Sequence, residues 1–280
     1  MKNKDERIKE MVKEKYSEIA EQSLEENLTS CCGAGGCGPS DYTIMSDDYT
    51  KVDGYNTDAD LGLGCGIPTE FAQIKEGDTV VDLGSGAGND VFVARQLAGT
   101  NGKVIGIDMT QTMIDKARAN NEKLGYNNIE FRLGEIENMP IGGNSTDVVI
   151  SNCVLNLVPN KANAFKEIYR ILKPWAHFSI SDIVIVGNLP EAIKKASEMY
   201  AGCVAGAIQK QYYLNMLSAT GFINIKVQKE KTINIPDEIL RKYLSESELK
   251  NFKESETGIY SITVFGQKPE GDECCRQDCC

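Results

Sequence analysis

The stretch "VVDLGSGAGNDVF", Val80 to Phe92, decides the fold of this chain. An apolar strand ends at Leu83, a turn follows from Gly84 to Gly88, and a helix is predicted to begin near Asn89. Glycines are needed in this turn because the chain bends sharply and its backbone must come close to a ligand. A dinucleotide-binding loop would have its third glycine at Asn89, so the spacing here is GxGxG. The stretch predicts a strand, loop and helix of an α/β sheet with a ligand at the loop.

Two further strand ends add to this site. The strand in "KVIGIDMT" ends in Asp108, at about the distance along the chain where an acid binds ribose hydroxyls. The segment "IEFRLGEIENMP" places Glu135 and Ile136 after the next strand, where an adenine edge can be recognised. The expected cofactor-binding residues are Asp82, Gly84, Ser85, Gly86, Gly88, Asp108, Met109, Glu135, Ile136 and Asn152.

Three isolated cysteines indicate the chemistry of the substrate. In "DVVISNCVLNLVP", Asn152 and Cys153 follow an apolar strand, and ligands of open α/β sheets bind at the carboxyl ends of strands. Cys65 ("GLGCGIPT") and Cys203 ("YAGCVAGA") lie on either side of it in the sequence. One buried cysteine is often only a small apolar side chain, but this explanation is poor for all three together. We therefore expect a substrate that prefers sulfur ligands.

These motifs resemble those of the class I S-adenosylmethionine methyltransferases, and within them those of the arsenite methyltransferases. The resemblance covers roughly Asp60 to Lys229, and the cysteines of "GCG", "SNC" and "GCVAGA" make it specific. Two positions depart from the family pattern. Ile67 stands where the family commonly has asparagine, and Trp175-Ala176 stands where such enzymes usually have two glycines, so we expect a different turn geometry there.

The resemblance implies a Rossmann-like α/β fold with a seven-stranded, mostly parallel sheet, a helical N-terminal extension and C-terminal additions. We expect a helical, cysteine-bearing segment over residues 1–75, an S-adenosylmethionine-binding domain over 76–187, a substrate-capping part with the last strands over 188–268, and a cysteine-rich tail over 269–280. The last two strands, in "FINIKVQK" and "YSITVFGQK", alternate in polarity and should form an antiparallel pair. The helices predicted between the strands are Asn89–Ala98, Thr110–Leu124 and Lys161–Leu172. The stretch from Thr29 to Asp60 is rich in glycine and cysteine and is expected to be mobile.

The resemblance also implies methyl transfer to trivalent arsenic, first arsenite and then methylarsenite, for arsenic detoxification. Cys65, Cys153 and Cys203 would bind the arsenic as thiolates and direct its lone pair, so no general base is needed. His177, the single histidine, is therefore expected to be a packed side chain. Cys31 or Cys32 would form a disulfide with Cys65 as arsenic is reduced, and an external thiol, glutathione or thioredoxin, would act as the reductant.

Composition narrows the alternatives. A net charge of −11 argues against nucleic acid, and no apolar run approaches the ~20 residues of a membrane span. The charged first residues lack a secretory core, and ten cysteines in an acidic α/β chain favour a cytoplasmic protein with chemically active thiols. The cysteine clusters lack the C-x-x-C spacing of structural zinc sites. These clusters are Cys31, Cys32 and Cys37, and in the tail Cys274, Cys275, Cys279 and Cys280.

Two alternatives remain open from the sequence. One is a methyltransferase for another small molecule, such as a quinone-like or sterol-like acceptor, in which the cysteines are incidental. It predicts an apolar pocket and activity that survives loss of the cysteines. The other is a non-enzymatic, thiol-rich metalloid-binding protein that retains the cofactor fold. It predicts tight arsenic binding without turnover.

Overall fold

The computed structural model describes residues 4–22, 47–190, 193, 204, 206–235, 237–241, 244–255 and 257–270. Within that part of the chain the strands are β1 (Thr79–Leu83), β2 (Lys103–Asp108), β3 (Ile129–Leu133), β4 (Thr146–Asn152), β5 (Leu172–Val186), β6 (Ile208–Gln209), β7 (Ile223–Thr232) and β8 (Gly258–Gln267). The helices are α1 (Lys4–Glu21), α2 (Asn89–Ala98), α3 (Gln111–Leu124), α4 (Lys161–Ile171), α5 (Lys210–Thr220), α6 (Asp237–Leu240) and α7 (Glu246–Glu254).

The strands form one mixed sheet in the order β3-β2-β1-β4-β5-β8-β7, and the short β6 pairs with β5 outside this path. The pairs among β1 to β5 are parallel, whereas β8 is antiparallel to both β5 and β7. This confirms the predicted mostly parallel sheet with an antiparallel pair at its end. The strand order reverses at β1, between β2 and β4, and such a reversal opens a crevice at the carboxyl ends of the strands.

Helices α2, α3 and α4, for which bounds were predicted between the strands, begin and end within one residue of those bounds. Helix α2 follows Gly88, whose φ of +101° is available to glycine, and a Cβ there would lie 3.0 Å from the rings of Phe92 and Phe131. Helices α3 and α5 end at the left-handed residues Gly125 and Gly221, the usual way to stop a helix.

The departure at Trp175 is accommodated within a strand. Helix α4 runs directly into β5, in which Trp175 has a φ of +64° and is 51% exposed. Its amide donates to the carbonyl oxygen of Lys268 (3.0 Å), and the amide of Lys268 donates to that of Ala176 (2.9 Å). Trp175 thus adopts a left-handed backbone conformation that glycine takes more easily, and the hydrogen bonds with Lys268, beyond β8, stabilise it.

Apolar side chains cover both faces of the sheet. Helix α4 contributes Phe165, Ile168 and Ile171 to the larger cluster, where Phe165 packs edge-on against Tyr213 of α5 at 5.3 Å between ring centroids. Truncating a buried aromatic side chain such as Phe165 to alanine costs about 3–5 kcal/mol. A smaller cluster contains Cys65 and Cys153. None of the helices in the described ranges is long and apolar enough to cross a membrane.

Candidate active site

A cavity of about 350 Å³ lies at the carboxyl ends of β1 to β4, at the reversal in strand order. Its wall contains the predicted cofactor residues with one exception, Gly88, which lies at the start of α2 and serves the turn. The predicted residues in the wall are Asp82, Gly84, Ser85, Gly86, Asp108, Met109, Glu135, Ile136 and Asn152. The structure therefore brings together residues from four successive strand ends.

The glycine loop is fixed over the neighbouring strand. The amides of Gly84 and Ser85 both donate to the carbonyl oxygen of Ile107, at 2.8 and 2.9 Å. A Cβ on Gly84 would lie 2.5 Å from the side chain of Val154. Glycine is needed here because the loop must follow the strand closely and leave its inner side to a ligand.

Asp108 is oriented by two backbone amides. The amide of Gly86 donates to Oδ2 (3.0 Å) and the amide of Thr110 to Oδ1 (2.8 Å). Burial raises the pKa of Asp108, and these amides oppose that effect. Each carboxylate oxygen can accept a further hydrogen bond, so the side chain can also bind ligand hydroxyls.

Neighbouring carboxyl groups crowd the inner end of the cavity. Burial raises the pKa of Asp82 well above its usual value, and the charges of Asp90 and Asp108 act in the same direction. Burial also raises the pKa of Asp90 to about 6. Among the described residues of the wall, Lys9 is the only basic one, and it pairs with Glu135 and Glu137. A ligand with positive charge would relieve this repulsion.

Two buried polar atoms in the wall have no hydrogen-bond partner within the described part of the chain, Ser85 Oγ and Asn89 Oδ1. Buried polar atoms in native proteins are nearly always paired, so these atoms indicate a bound molecule with polar groups. S-adenosylmethionine carries an ammonium group, a sulfonium and ribose hydroxyls. The residues present therefore fit this cofactor in charge and in hydrogen bonding.

Helix α1 forms the outer wall of the cavity through Lys9, Val12 and Tyr16. Lys116 of α3 donates to the carbonyl oxygens of Ala20 (2.9 Å) and Gln22 (3.2 Å), at the C-terminal end of α1. A cation at this end is favoured because the last carbonyl groups of a helix have no partner within it.

A segment expected to be mobile forms another wall. Residues 47–60 belong to the glycine- and cysteine-rich stretch expected to be loose, but Tyr49 and Ala59 are buried. Tyr49 Oη lies 2.8 Å from Asp90 Oδ1, and Asp47 accepts from Lys229 (2.7 Å) and Lys231 (3.1 Å) on β7. The expected mobility was wrong for residues 47–60, because side chains far along the sequence hold this segment in place.

Asn152 connects the end of β4 to the loop that carries Cys65. Its Oδ1 accepts from the amide of Cys65 (3.0 Å), and its Nδ2 donates to the carbonyl oxygen of Gly66 (2.8 Å) and to Tyr49 Oη (2.8 Å). The same Nδ2 also lies 3.1 Å from Asp90 Oδ2. Asn152 lines the cavity, as predicted for a cofactor contact, and its amide also contacts the thiol loop.

The structure places Cys65 and Cys153 in one buried cluster, with exposed fractions of 1% and 2%. Cys153 lines the cavity, whereas Cys65 follows the wall residue Gly64. Cys153 has a φ of +61°, rare for a side-chain-bearing residue, and its amide donates to the carbonyl oxygen of Ser181 (2.7 Å). Such strain is often found at functional sites.

Another buried carboxylate, Asp182, lies beside the cysteine cluster. Burial raises the pKa of Asp182 to about 7, although the amide of Ile183 (3.0 Å) and the hydroxyl of Tyr213 (3.4 Å) donate to it. Burial raises the pKa of Tyr213 well above its usual value, followed by the charge of Asp182, with smaller effects from Cys65 and Cys153.

The remaining predicted site residues lie outside the described ranges. These are Cys203, Cys31 and Cys32, together with Cys37 and the tail cysteines Cys274, Cys275, Cys279 and Cys280. The three-cysteine site thus remains a prediction, and the described residues alone contain no group of three metal-ligating side chains. His177 is packed, as expected, with Nε2 2.6 Å from the carbonyl oxygen of Ala72 and its ring against Phe265.

Sequence reasoning missed Asp90, Tyr49 and the α1 residues of the wall. Asp90 carried a usable signal, since an acid in the first turn of the helix after a glycine loop is oriented toward the ligand site. Tyr49 carried none, because its partners Asp90 and Asn152 are 41 and 103 residues away.

Comparisons with known proteins agree with this geometry. Residues 74–221 match the family described as a methyltransferase domain. The chain is 39% identical to an arsenite methyltransferase of Halobacterium salinarum, over 96% of this chain and 68% of the relative. A demethylmenaquinone methyltransferase of Lactococcus lactis is 36% identical over 68% of this chain and 77% of the relative.

A solved structure gives the same result. The arsenic(III) S-adenosylmethionine methyltransferase of Chlamydomonas reinhardtii has a TM-score of 0.63 and 32% identity, covering 84% of this chain and 76% of that chain. The fold of this chain, its cofactor cavity and its sequence relatives lead to one conclusion. The chain belongs to the S-adenosylmethionine-dependent methyltransferases and, within them, to the arsenite methyltransferase family.

Proposed function

We propose that the protein transfers methyl groups from S-adenosylmethionine to trivalent arsenic, first arsenite and then methylarsenite, in arsenic detoxification. The observation that carries the proposal is Cys153, whose side chain lines the cofactor cavity and shares a buried cluster with Cys65. The arsenite methyltransferase relatives, of which the chain spans about two thirds in the Halobacterium case, support the same substrate.

The thiols account for substrate binding without a base. Arsenite has three exchangeable hydroxyl groups, and each thiol that binds arsenic releases its proton to a departing hydroxide, which leaves as water. We assign the three thiols to Cys65, Cys153 and Cys203. The resulting complex is neutral, which suits the apolar surroundings of Cys65 and Cys153, among them Ile183 and Ile259.

Methyl transfer then depends on how the arsenic lone pair and the methyl group are positioned relative to each other. S-adenosylmethionine supplies an electrophilic methyl group when it is bound, and the arsenic lone pair is the nucleophile. Cys153 directs this lone pair from the inner end of the cavity, while Asp108 and the loop from Gly84 to Gly88 hold the cofactor. His177 has no role as a base, because arsenic carries no proton to remove.

A reductant must complete each round. Bonding of the lone pair to carbon oxidises arsenic from the trivalent to the pentavalent state, so two electrons must return. In the arsenite round we assign this step to Cys65 with Cys31 or Cys32, which form a disulfide, and to glutathione or thioredoxin, which reduces it by exchange. In the methylarsenite round the external thiol supplies the two electrons directly. Mass mapping of protein quenched during turnover should find the bridge, and its absence at full turnover would exclude this step.

The competing activity is methylation of a quinone-like acceptor, favoured by the Lactococcus relative. Incubation with arsenite, S-adenosylmethionine and a thiol, followed by speciation of the products, separates the two. We expect methylated arsenic from the parent and none from Cys153→Ser. Absence of methylated arsenic with the parent, or turnover of a demethylquinone that is unaffected by Cys153→Ser, would reject the proposal.

A further inference from the structure

We propose that Asn152 is a positioning residue that fixes the distance between the Cys65 and Cys153 thiols and so prepares them to bind one atom. The proposal rests on the proposed function for the identity of that atom. It assigns to Asn152 a task separate from contact with the cofactor.

One side chain controls both cysteines. Cys153 follows Asn152 directly in the chain, and Cys65 reaches it through the hydrogen bond from its amide to Asn152 Oδ1, at 3.0 Å across 87 residues. The amide of Cys153 is fixed in turn by the carbonyl oxygen of Ser181 (2.7 Å). A rotation of the Asn152 side chain therefore moves the Cys65 loop relative to Cys153.

The orientation of the Asn152 amide is dictated by its partners. The amide of Cys65 can only donate, so it requires the oxygen of Asn152. The carbonyl oxygen of Gly66 (2.8 Å) and the carboxylate of Asp90 (3.1 Å) can only accept, so they require its NH₂ group. Reversal of the amide would break three contacts at once, and no other residue type of this size offers one acceptor and two donors.

Close packing restricts the movement of the Cys65 loop against Asn152. A Cβ on Gly64 would lie 2.7 Å from Asn152 Nδ2, and one on Gly66 would lie 2.6 Å from Ser181 Oγ. Ser261 of β8 donates to the carbonyl oxygen of Cys65 from the other side. The two glycines of "GCG" thus bring the backbone against Asn152 and Ser181, which leaves Cys65 one position.

The experiment measures binding of arsenite alone, without cofactor or turnover. The protein is incubated with arsenite, unprotected thiols are alkylated, and protected cysteines are mapped by mass spectrometry, while titration gives the dissociation constant. In the parent, Cys65 and Cys153 should both be protected more strongly than in an arsenite-free sample, which corrects for the burial of the two thiols. In Asn152→Asp, the second carboxylate oxygen would face Asp90 and the carbonyl oxygen of Gly66, so Cys65 should lose protection and arsenite affinity should fall about tenfold or more.

Methylarsenite provides a readout that general loss of structure would not give. It has two exchangeable positions and is assigned to Cys153 and Cys203, so Asn152→Asp should weaken its binding much less than that of arsenite. The matched control is Asn128→Asp at the opposite end of the sheet. Asn128 also bridges loops, donating to the carbonyl oxygens of Gly99 and Gly102 (both 2.9 Å), and this variant should bind arsenite like the parent.

Two further variants keep the test decisive. Asp90→Asn added to Asn152→Asp removes the like charges and supplies a donor, so it should restore part of the arsenite affinity. Gly64→Ala pushes on the Asn152 amide from outside and should expose Cys65 to alkylation even if Asn152→Asp does not fold. Parent-like protection of Cys65 in folded Asn152→Asp or in folded Gly64→Ala would overturn the proposal.

The result also separates this proposal from the proposed function. If the parent protects Cys65 and Cys153 but produces no methylated arsenic, the function fails and the positioning role stands on the protection data. If Asn152→Asp binds arsenite as the parent does while the parent methylates it, the positioning role fails alone. If the parent does not protect the two cysteines, both are overturned.

Discussion

Lys9 of helix α1 donates to Glu135 at the carboxyl end of β3, across 2.7 Å, and pairs with Glu137 at 2.5 Å. At the other end of the helix, Lys116 binds the carbonyl oxygens of Ala20 and Gln22. Helix α1 is thus held at both ends while its middle lines the cofactor cavity. We therefore expect this helix, kept in place by ion pairs at one end and hydrogen bonds at the other, to enclose the cofactor.

Replacing Lys9 with alanine should speed cofactor exchange. Partly exposed ion pairs contribute about 0.2–1 kcal/mol each, so loss of two should raise the dissociation constant of S-adenosylmethionine by about two- to thirtyfold. Calorimetry at low and high ionic strength measures this, and the difference should shrink with salt. Lys13→Ala is the control, because its contact with Glu135 is longer at 3.4 Å. Equal effects of both variants would contradict a specific role of Lys9.

Asp108→Ala should weaken cofactor binding more strongly. We expect Asp108 to accept hydrogen bonds from both ribose hydroxyls, and the variant also removes the partner of the Gly86 and Thr110 amides. Loss of these contacts costs roughly 1.5–3 kcal/mol, or about tenfold to a hundredfold in affinity. Calorimetry with S-adenosylmethionine checks the expectation, and unchanged binding would remove Asp108 from the ribose site.

The three cysteines should differ in their response to serine. Cys153→Ser and Cys203→Ser should abolish methylation of both arsenite and methylarsenite, because both rounds need these ligands. Cys65→Ser should lose arsenite methylation and keep much of the methylarsenite activity, since methylarsenite has only two exchangeable positions. A serine hydroxyl is a hard ligand that stays protonated and cannot replace a thiolate. A Cys153→Ser enzyme with near-parent rates on arsenite would disprove the three-thiolate site.

Asp182 should make the protein less stable as the pH rises. Burial raises its pKa from 3.8 to about 7, so the native protein retains a proton that the unfolded chain releases. Because the native state binds more protons, stability is highest below pH ~4 for this group and falls up to pH ~7, by as much as about 4 kcal/mol. The asparagine of Asp182→Asn cannot ionise. The melting temperature of this variant should therefore fall less than that of the parent between about pH 5 and pH 7.5.

The control for this measurement is Asp237→Asn. A hydrogen bond from Lys253 lowers the pKa of Asp237, which is the opposite direction, so this variant should keep the parent's loss of melting temperature. The buried carboxylates Asp82, Asp90 and Asp108 add to the parent's loss and remain in both variants. An Asp182→Asn profile parallel to that of the parent would assign the pH dependence to these three residues instead.

Much of the cofactor-binding part of the cavity could be predicted because the residues that form it are close in sequence. The loop from Gly84 to Gly88 and Asp108 are joined across 22 residues, and the strands between them have a repeating apolar pattern. For this reason the predicted bounds of α2, α3 and α4 are confirmed within one residue. The antiparallel final strands were predictable from their alternation alone.

For the part of the site that contains Cys65 and Cys153, the sequence predicted the residue types but not their contacts. Cys65 and Cys153 were identified as cysteines in unusual surroundings, but the contact of Asn152 with the Cys65 amide depends on register across the whole sheet. Burial of Tyr49 and docking of α1 likewise depend on partners far along the chain. Such contacts leave no periodic pattern, so the sequence suggested a loose segment where the structure has a wall.

The hydrogen bond from Ser261 to the carbonyl oxygen of Cys65 spans 196 residues, and this separation bears on the order of events during folding. Contacts between distant residues form late, because the chain must first close a long loop. The cofactor loop, whose partners are near in sequence, can form early. We therefore expect the loop from Gly84 to Gly88 to form before the Cys65 loop is seated, so that the proposed metalloid site matures last.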